Sequence, residues 1–329
     1  MSKPLFYLLI ILLTASGTLS CRLDKPDPLP ERPKCTVRLV LDRETGVEES
    51  DEPLQLSKTT TNDLYAVQIY KKGNLSYSLT PSMYGIFDDE TLITLPLEFD
   101  KLYKIEVSQV PNGKNLIAQG DNGGYNAPFW VGGPSGGPGK VNNQFVIASM
   151  NNFIKGINKG TAKIIQTNGT QAEYDWPPIS RFYGVIKDYR PEEGGEVVIP
   201  LKLVGFGLTI VPQRFSEGTI EIKINFGPTF TLTPENPRAI TKQIFTFKNP
   251  KNQDWTEDDY SEEIGMSIVW TKANQEQVKF RTSTDPITVR RKTNKILTLP
   301  CEDKTSNSIV FDREDDTLTD DHETLAPQP

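Results

Sequence analysis

Histidine is nearly absent from this chain of 329 residues: the single one, His322, lies near the C-terminal end among acidic side chains. A Ser-His-Asp or Cys-His catalytic site needs an imidazole in the folded body. Histidine-based zinc centres need the same residue as a ligand. The sequence therefore argues against these catalytic and metal sites, and we expect neither a metal nor a cofactor.

Cysteine is also scarce, with three residues, Cys21, Cys35 and Cys301. They are too far apart for a Cys-x-x-Cys redox or metal motif. Cys35 and Cys301 lie at the two ends of the predicted folded region, and exported proteins can keep disulfides. A Cys35–Cys301 bridge is therefore one interpretation, and two unbonded buried thiols are the other.

Only one long apolar run is present, over residues 5–13. This length suits the h-region of a signal peptide and falls short of the roughly 20 residues that a membrane span needs. Lys3 precedes the run and small or polar residues lead to Cys21, so we predict a signal peptide over residues 1–20 and attachment of acyl chains such as palmitate to Cys21. The box at 18–20, Thr-Leu-Ser, departs from the commoner Leu-Ala-Gly type. An ordinary cleaved signal with an incidental cysteine is the alternative.

Positive charge is in deficit, with 36 Lys and Arg against 43 Asp and Glu and a formal net charge of −7. From residue 302 to the end there are nine acids and two bases, so this tail accounts for the whole imbalance. A neutral body without a basic stripe argues against nucleic acid as a partner. The dense acid and missing periodicity predict that residues 304–329 are a disordered tail.

Long helical periodicity is missing, and alternation of apolar and polar residues dominates instead. It is clearest over residues 220–226, where Ile220, Ile222, Ile224 and Phe226 are predicted to share one buried face. The best helix candidate is a short stretch over 149–157. Many short strands punctuated by Gly, Pro and Asn predict an all-β fold of β-sandwich domains. Residues 21–34 form a Pro-rich spacer. We place the first domain after it, at 35–155, and the second domain at 156–303.

The chain lacks a phosphate loop. Residues 132–140 end in Gly-Lys, but Pro134 stands where the motif requires Gly, and Val141 stands where Ser or Thr would bind magnesium. The acidic clusters at 88–90 and 257–259 are interpreted as solvated turns. A carboxylate pair for glycoside hydrolysis, or a calcium site in either loop, stays open as an alternative.

Three aromatic residues, Tyr125, Phe129 and Trp130, lie among the glycines and asparagines of residues 120–131. Exposed aromatic rings could stack on sugars or contact a partner, so these three are the candidate ligand-binding residues. In the alternative interpretation, Phe129 and Trp130 cap the hydrophobic core and the glycines form turns.

Several segments resemble the fimbrillin-like surface lipoproteins of Bacteroidetes, which include shaft, tip and anchor subunits of fimbriae. The resemblance covers most of the chain without a sharp motif. It is carried by the lipid cysteine and spacer, Cys-Thr-Val-Arg-Leu at 35–39, Asp-Leu-Tyr-Ala-Val-Gln-Ile-Tyr at 63–70, Tyr-Gly-Ile-Phe-Asp at 84–88, Arg-Phe-Tyr-Gly at 181–184 before Val-Ile-Pro-Leu at 198–201, and Asp-Pro-Ile-Thr-Val-Arg-Arg at 285–291. The resemblance implies tandem transthyretin-like β-sandwich domains and a structural or adhesive role without catalysis. The acidic tail departs from the family pattern.

We therefore expect a non-catalytic lipoprotein, lipid-anchored in the cell outer membrane and exposed at the surface, that acts in fimbrial assembly, anchoring or adhesion. Its expected partners are the membrane, other fimbrial subunits, and host or glycan ligands. A glycan-binding lipoprotein of a polysaccharide-uptake system, with Trp130 or Trp176 as a sugar platform, is one alternative. An envelope hydrolase that uses carboxylates is another.

The first predicted strand, residues 37–41, bears on assembly. Strand-sharing subunits add a strand to an open sheet edge, and a protease that cuts after Arg43 could free such an edge. The same cut would separate the body from its lipid, and a Cys35–Cys301 bridge would hold the strand in place. These two points favour an anchor, tip or stand-alone role over that of a shaft subunit.

Overall fold

The computed structural model describes residues 34–43, 62–119, 125–131, 141, 143–165, 171–192, 194–238, 240–301 and 321–324. Strands dominate this part of the chain, with two 3₁₀ turns at Glu90–Leu92 and Gly113–Leu116, and the predicted all-β sandwich class is confirmed. Within these ranges no helix has the length and apolar character to cross a membrane. The predicted helix over 149–157 is wrong, because Ser149 bridges Asn152 and Gly156 turns the chain at a φ of 68°.

The strands are numbered in chain order. Their bounds are β1 Lys34–Arg43, β2 Leu64–Lys71, β3 Met83–Phe87, β4 Thr94–Glu98, β5 Tyr103–Val110, β6 Ala118–Gln119, β7 Tyr125–Ala127, β8 Trp130–Val131, β9 Phe145–Ile147, β10 Ile154–Lys155, β11 Ala162–Ile165, β12 Gln171–Tyr174, β13 Phe182–Tyr189, β14 Glu196–Leu203, β15 Gly205–Gln213, β16 Thr219–Ile224, β17 Thr229–Leu232, β18 Gln243–Thr246, β19 Ser261–Ile264, β20 Met266–Thr271, β21 Gln277–Arg281, β22 Ile287–Arg290, β23 Asn294–Pro300 and β24 Asp321–Thr324.

Eight of these strands form one sheet in the order β4-β1-β14-β13-β5-β2-β3-β9. Strand β1 pairs with β14 in parallel, whereas β13 pairs antiparallel with both β14 and β5. Two four-stranded sheets follow, in the orders β18-β15-β23-β24 and β17-β16-β20-β21. The other strands form the two-stranded pairs β10-β8, β11-β12, β19-β22 and β6-β7.

The buried faces of the strands form two main hydrophobic cores, and alternation is clear in β1 and β16. In β1, Cys35, Val37 and Leu39 are buried and their neighbours face solvent, and they pack with residues of β2 to β5, β13 and β14 in the first core. The second core is built mainly from β15 to β23, together with Trp176 and with Tyr183 of β13. In β16, Ile220 and Ile222 point into it, as their spacing predicts. A third, smaller cluster covers the opposite face of β2 and β3.

The first core has no member after Leu203, and all members of the second core except Trp176 and Tyr183 lie from Val204 onwards. The sequence-based boundary between residues 155 and 156 does not coincide with this change. Strands β13 and β14, which lie after that boundary, pair with β5 and β1 and complete the first core. Pairing over more than 150 residues of sequence is not visible in local alternation, which explains the difference.

The C-terminal region differs from the predicted disordered tail over four residues. Asp321–Thr324 form β24, which pairs in parallel with β23, so that His322 lies opposite Ile296. Backbone pairing with an edge strand places few demands on side chains, and the acidic composition therefore gave no signal of it. Residues 302–320 and 325–329 lie outside the described residues, as do the signal peptide, Cys21 and the spacer.

The C-terminal end of β1 is held by a buried ion pair. The Arg43 guanidinium lies 2.9 Å from the Asp63 carboxylate, and the two side chains are 13% and 1% exposed. Asp63 also accepts hydrogen bonds from the Gln109 amide at 2.8 Å and the Asn112 backbone N–H at 3.1 Å. The carboxylate thus ties the end of β1 to the start of β2 and to the end of β5.

Candidate ligand-binding cleft

The two body cysteines lie in different cores. Cys35 packs beside Val37 in the first core and Cys301 beside Leu299 in the second, and the structure holds no bond between their sulfur atoms. The predicted Cys35–Cys301 bridge is therefore not formed. Burial raises the pKa of the Cys301 thiol to about 12, which keeps it protonated at neutral pH. Lipidation of Cys21 stays a prediction, because that residue lies outside the described part.

Among the three candidate aromatics, Phe129 is buried. Phe129 is 2% exposed in the third cluster, with the Arg181 guanidinium 5.2 Å from its ring centroid. Its predicted role as an exposed ligand platform is wrong, because the ring fills the space between Arg181 and the sheet. Tyr125 lies in β7 and Trp130 in β8, and a ligand role for these two stays a prediction.

The acidic clusters serve the turns that carry them. Asp89 accepts a hydrogen bond from the Thr91 backbone N–H at 2.9 Å, and Asp88 accepts one from the Asn143 amide at 2.7 Å. Asp258 pairs with Arg291, whose hydrogen bond holds the pKa of that carboxyl below its usual value. The described ranges contain no cluster of residues suited to hold a metal ion.

A cleft of about 590 Å³ opens beside β19 and β22. Its walls combine aromatic rings with polar side chains, among them Trp176, Lys251, Gln253, Tyr260, Ser261 and Thr288. A cavity of this size lies within the range of roughly 300–1,000 Å³ that small-molecule sites occupy. We refer to it as the Glu262 cleft, after the residue that organises its walls.

The Glu262 carboxylate accepts four hydrogen bonds. The donors are the Trp176 indole N–H at 3.1 Å, the Tyr260 hydroxyl at 2.7 Å, and the backbone N–H groups of Lys248 and Asn249 at 3.2 and 2.7 Å. Both rings and the start of the loop over 248–253 are thereby fixed to β19. Burial, together with this carboxylate, raises the pKa of Tyr260, so its hydroxyl stays a neutral donor. The Glu262 carboxylate therefore holds the walls of the cleft together.

Lys248 extends the cleft towards a turn. Its ammonium pairs with Asp175 and lies 5.7 Å from the ring centroid of Trp176 and 5.9 Å from that of Phe226. The Asp175 backbone N–H donates to the Phe226 carbonyl at 2.8 Å. These contacts place the Phe226 ring beside Lys248, which is one of the residues that line the Glu262 cleft.

Phe226 does not share the buried face of β16 that alternation predicts. The strand ends at Ile224, and the Phe226 side chain is 77% exposed at a φ of 55°. The available signal was the sequence Asn-Phe-Gly-Pro at 225–228, which is typical of a turn and not of a strand. The sequence therefore identified Trp176 as a candidate platform and missed its neighbour Phe226.

Comparison with known proteins gives two kinds of result. No family model matches the chain, and no curated protein matches it. Among solved structures, it is similar to the fimbrial anchor protein Mfa2 from Porphyromonas gingivalis, with 12% identity and a TM-score of 0.33 over 74% of this chain and 80% of that one. It is also similar to a fimbrial assembly protein from Parabacteroides distasonis, with 11% identity and a TM-score of 0.32 over 82% and 92%. Both are fimbrial proteins, the class that the sequence resembles, but likeness at this level does not assign a function to the chain.

Proposed function

We propose that this chain is a non-catalytic surface lipoprotein that acts in fimbrial anchoring or assembly, or in adhesion. The N-terminal signal and Cys21 support attachment to the outer membrane through lipid. The all-β body and the binding character of the Glu262 cleft support a role in contacts with other molecules. The expected partners are the membrane and other fimbrial subunits.

The position of β1 is the observation that carries the proposal. This strand is the first element after the lipid spacer, and it lies between β4 and β14 inside the eight-stranded sheet. Its register with β14 runs from Arg38 opposite Glu196 to Arg43 opposite Leu201. Loss of β1 would remove Cys35, Val37 and Leu39 from the first core. A strand built in this way supports an anchor or stand-alone adhesive role over that of a shaft subunit that discards its first strand.

Limited proteolysis tests this role. The mature protein is treated with a low dose of trypsin and followed by native chromatography, electron microscopy and mass spectrometry. We expect a trimmed monomer in which β1 co-elutes with the body even after cuts within 44–61, because Arg43 is held by Asp63. The Asp63→Asn variant serves as the comparison, since it should expose Arg43 to cleavage. Filaments or ladders that appear after cleavage at Arg43 in the unaltered protein contradict the anchor-type role.

Lipidation is tested separately. Mass spectrometry of the mature N-terminus should show an acylated Cys21, and a Cys21→Ala protein should no longer fractionate with the outer membrane. An unmodified N-terminus at another position, together with unchanged fractionation of the variant, contradicts the proposed attachment.

A further inference from the structure

We propose that Phe226 and the Glu262 cleft together form a binding site for a neutral oligosaccharide, with one sugar ring stacked on Phe226 and the next lying in the cleft. The proposal concerns ligand recognition by the folded body. It does not depend on whether the chain anchors a fimbria.

The conformation of Phe226 is the first observation. It is the one aromatic among the eleven non-glycine residues with positive φ in the described part of the chain. Bulky side chains are rare in that region of backbone space and remain there only where their surroundings impose it. Here the hydrogen bonds from Asp175 to the Phe226 carbonyl and from Asn225 to the Gly265 carbonyl, both 2.8 Å, hold the turn. The backbone is thereby held in a conformation that leaves most of the Phe226 side chain in solvent.

The position of Phe226 beside the cleft is the second observation. The Lys248 ammonium lies within 6 Å of both the Phe226 and the Trp176 ring centroids, and Lys248 and Trp176 both line the cleft, so Phe226 lies beside its wall. Trp176 is itself 8% exposed, with its indole N–H donated to Glu262. Phe226 therefore supplies the open stacking face, and Trp176 supplies a wall of the cleft.

The charge and hydrogen-bonding capacity of the walls indicate the ligand class. Two ammonium groups, Lys248 and Lys251, are balanced by two carboxylates, Glu262 and Glu263. Lys248 is paired with Asp175, and Glu262 is occupied by its four donors. The remaining polar wall consists mainly of the neutral side chains of Gln253, Ser261 and Thr288. Hydroxyl and amide groups beside an exposed ring match a polyhydroxylated, uncharged ligand whose C–H face stacks on the ring.

The experiment uses the full mature chain. The protein is applied to an array of neutral and acidic glycans, and the neutral oligosaccharide that binds most strongly is then titrated by calorimetry. Four variants are compared: Phe226→Asn, Phe226→Tyr, Thr288→Val and Leu79→Ala. Asn tolerates positive φ, so Phe226→Asn removes the ring without adding strain. Phe226→Tyr keeps the ring. Leu79 is 99% exposed on a turn before β3 and is the control for loss of an exposed apolar side chain.

We expect a neutral oligosaccharide to bind, with affinity at least tenfold lower for Phe226→Asn and unchanged for Phe226→Tyr and Leu79→Ala. The melting temperature of Phe226→Asn should be equal to that of the unaltered protein or higher, which separates loss of the ring from loss of the fold. Thr288→Val should lower the affinity severalfold, and this exposed position gives a second reading if Phe226→Asn does not fold. Binding to acidic glycans or to proteins alone, absence of binding to any neutral glycan, or unchanged affinity of Phe226→Asn overturns the proposal.

Discussion

At the scale of single residues, the adjacent carboxylates Glu262 and Glu263 differ in hydrogen bonding and in exposure to solvent. Glu262 accepts four hydrogen bonds, whereas Glu263 is exposed on the same strand. Glu262→Gln places amide hydrogens against existing donors, so we expect the free energy of unfolding to fall by about 2–3 kcal/mol. Glu263→Gln is the matched control and should change it by less than about 0.5 kcal/mol. Guanidinium unfolding measures both, and equal effects of the two substitutions would contradict the assigned role.

The thiols give a second test at this scale. We expect labelling of the unreduced protein to modify neither Cys35 nor Cys301 while it is folded, and both after denaturation. The pKa of Cys301 rises from 9.0 to about 12 on folding, so its contribution to stability is complete below pH 9 and is lost as the pH rises towards 12. The free energy of unfolding should therefore decrease as the pH rises through that range. The decrease should be smaller in Cys301→Ala, because this variant lacks the titrating thiol. If neither thiol is labelled after denaturation, the result would support the predicted disulfide instead.

At the scale of elements, two arginines of β1 provide a matched pair. Arg43 forms its ion pair with Asp63 in the interior, whereas Arg38 lies 3.4 Å from Glu196 with both side chains more than half exposed. Arg43→Ala leaves a buried carboxylate without its cation, and we expect a loss of about 3 kcal/mol. Arg38→Ala should cost less than about 0.5 kcal/mol. Circular dichroism during urea unfolding follows both variants, and a loss for Arg38→Ala as large as that for Arg43→Ala would remove the basis for the anchored β1.

What the sequence predicts at this scale follows from the range of each interaction. Alternation is local, so it places Ile220 and Ile222 of β16 on their buried face correctly. Strand pairing is not local, and the insertion of β14 beside β1 could not be read from either segment. Phe226 shows a different limit. Its type and spacing favour burial, whereas the turn at 225–228 and the hydrogen bond from Asp175 place it in solvent.

At the scale of the whole molecule, the two cores share a strand. In β13, Phe182 belongs to the first core and Tyr183 to the second, and the Arg291 guanidinium donates to the Leu203 carbonyl at 3.1 Å. We therefore expect both cores to unfold in one transition. Three of the four tryptophans, Trp176, Trp255 and Trp270, lie in the second core, so tryptophan fluorescence reports mainly on that core. Far-ultraviolet circular dichroism reports on all strands. The two midpoints should coincide, and a clear separation would show that the cores unfold independently.

The placement of β1 also has a mechanical consequence. If the lipid holds the N-terminus and a bound partner pulls on the body, the load enters the fold through the Lys34 end of this strand. Because β1 lies between β4 and β14, a force along its axis acts on the hydrogen bonds of both neighbours at once. The ladders are then sheared as a group and not opened one bond at a time, and the Arg43–Asp63 pair resists the same displacement at the far end of the strand. With the proposed lipid attachment, β1 would be the element through which tension enters the body.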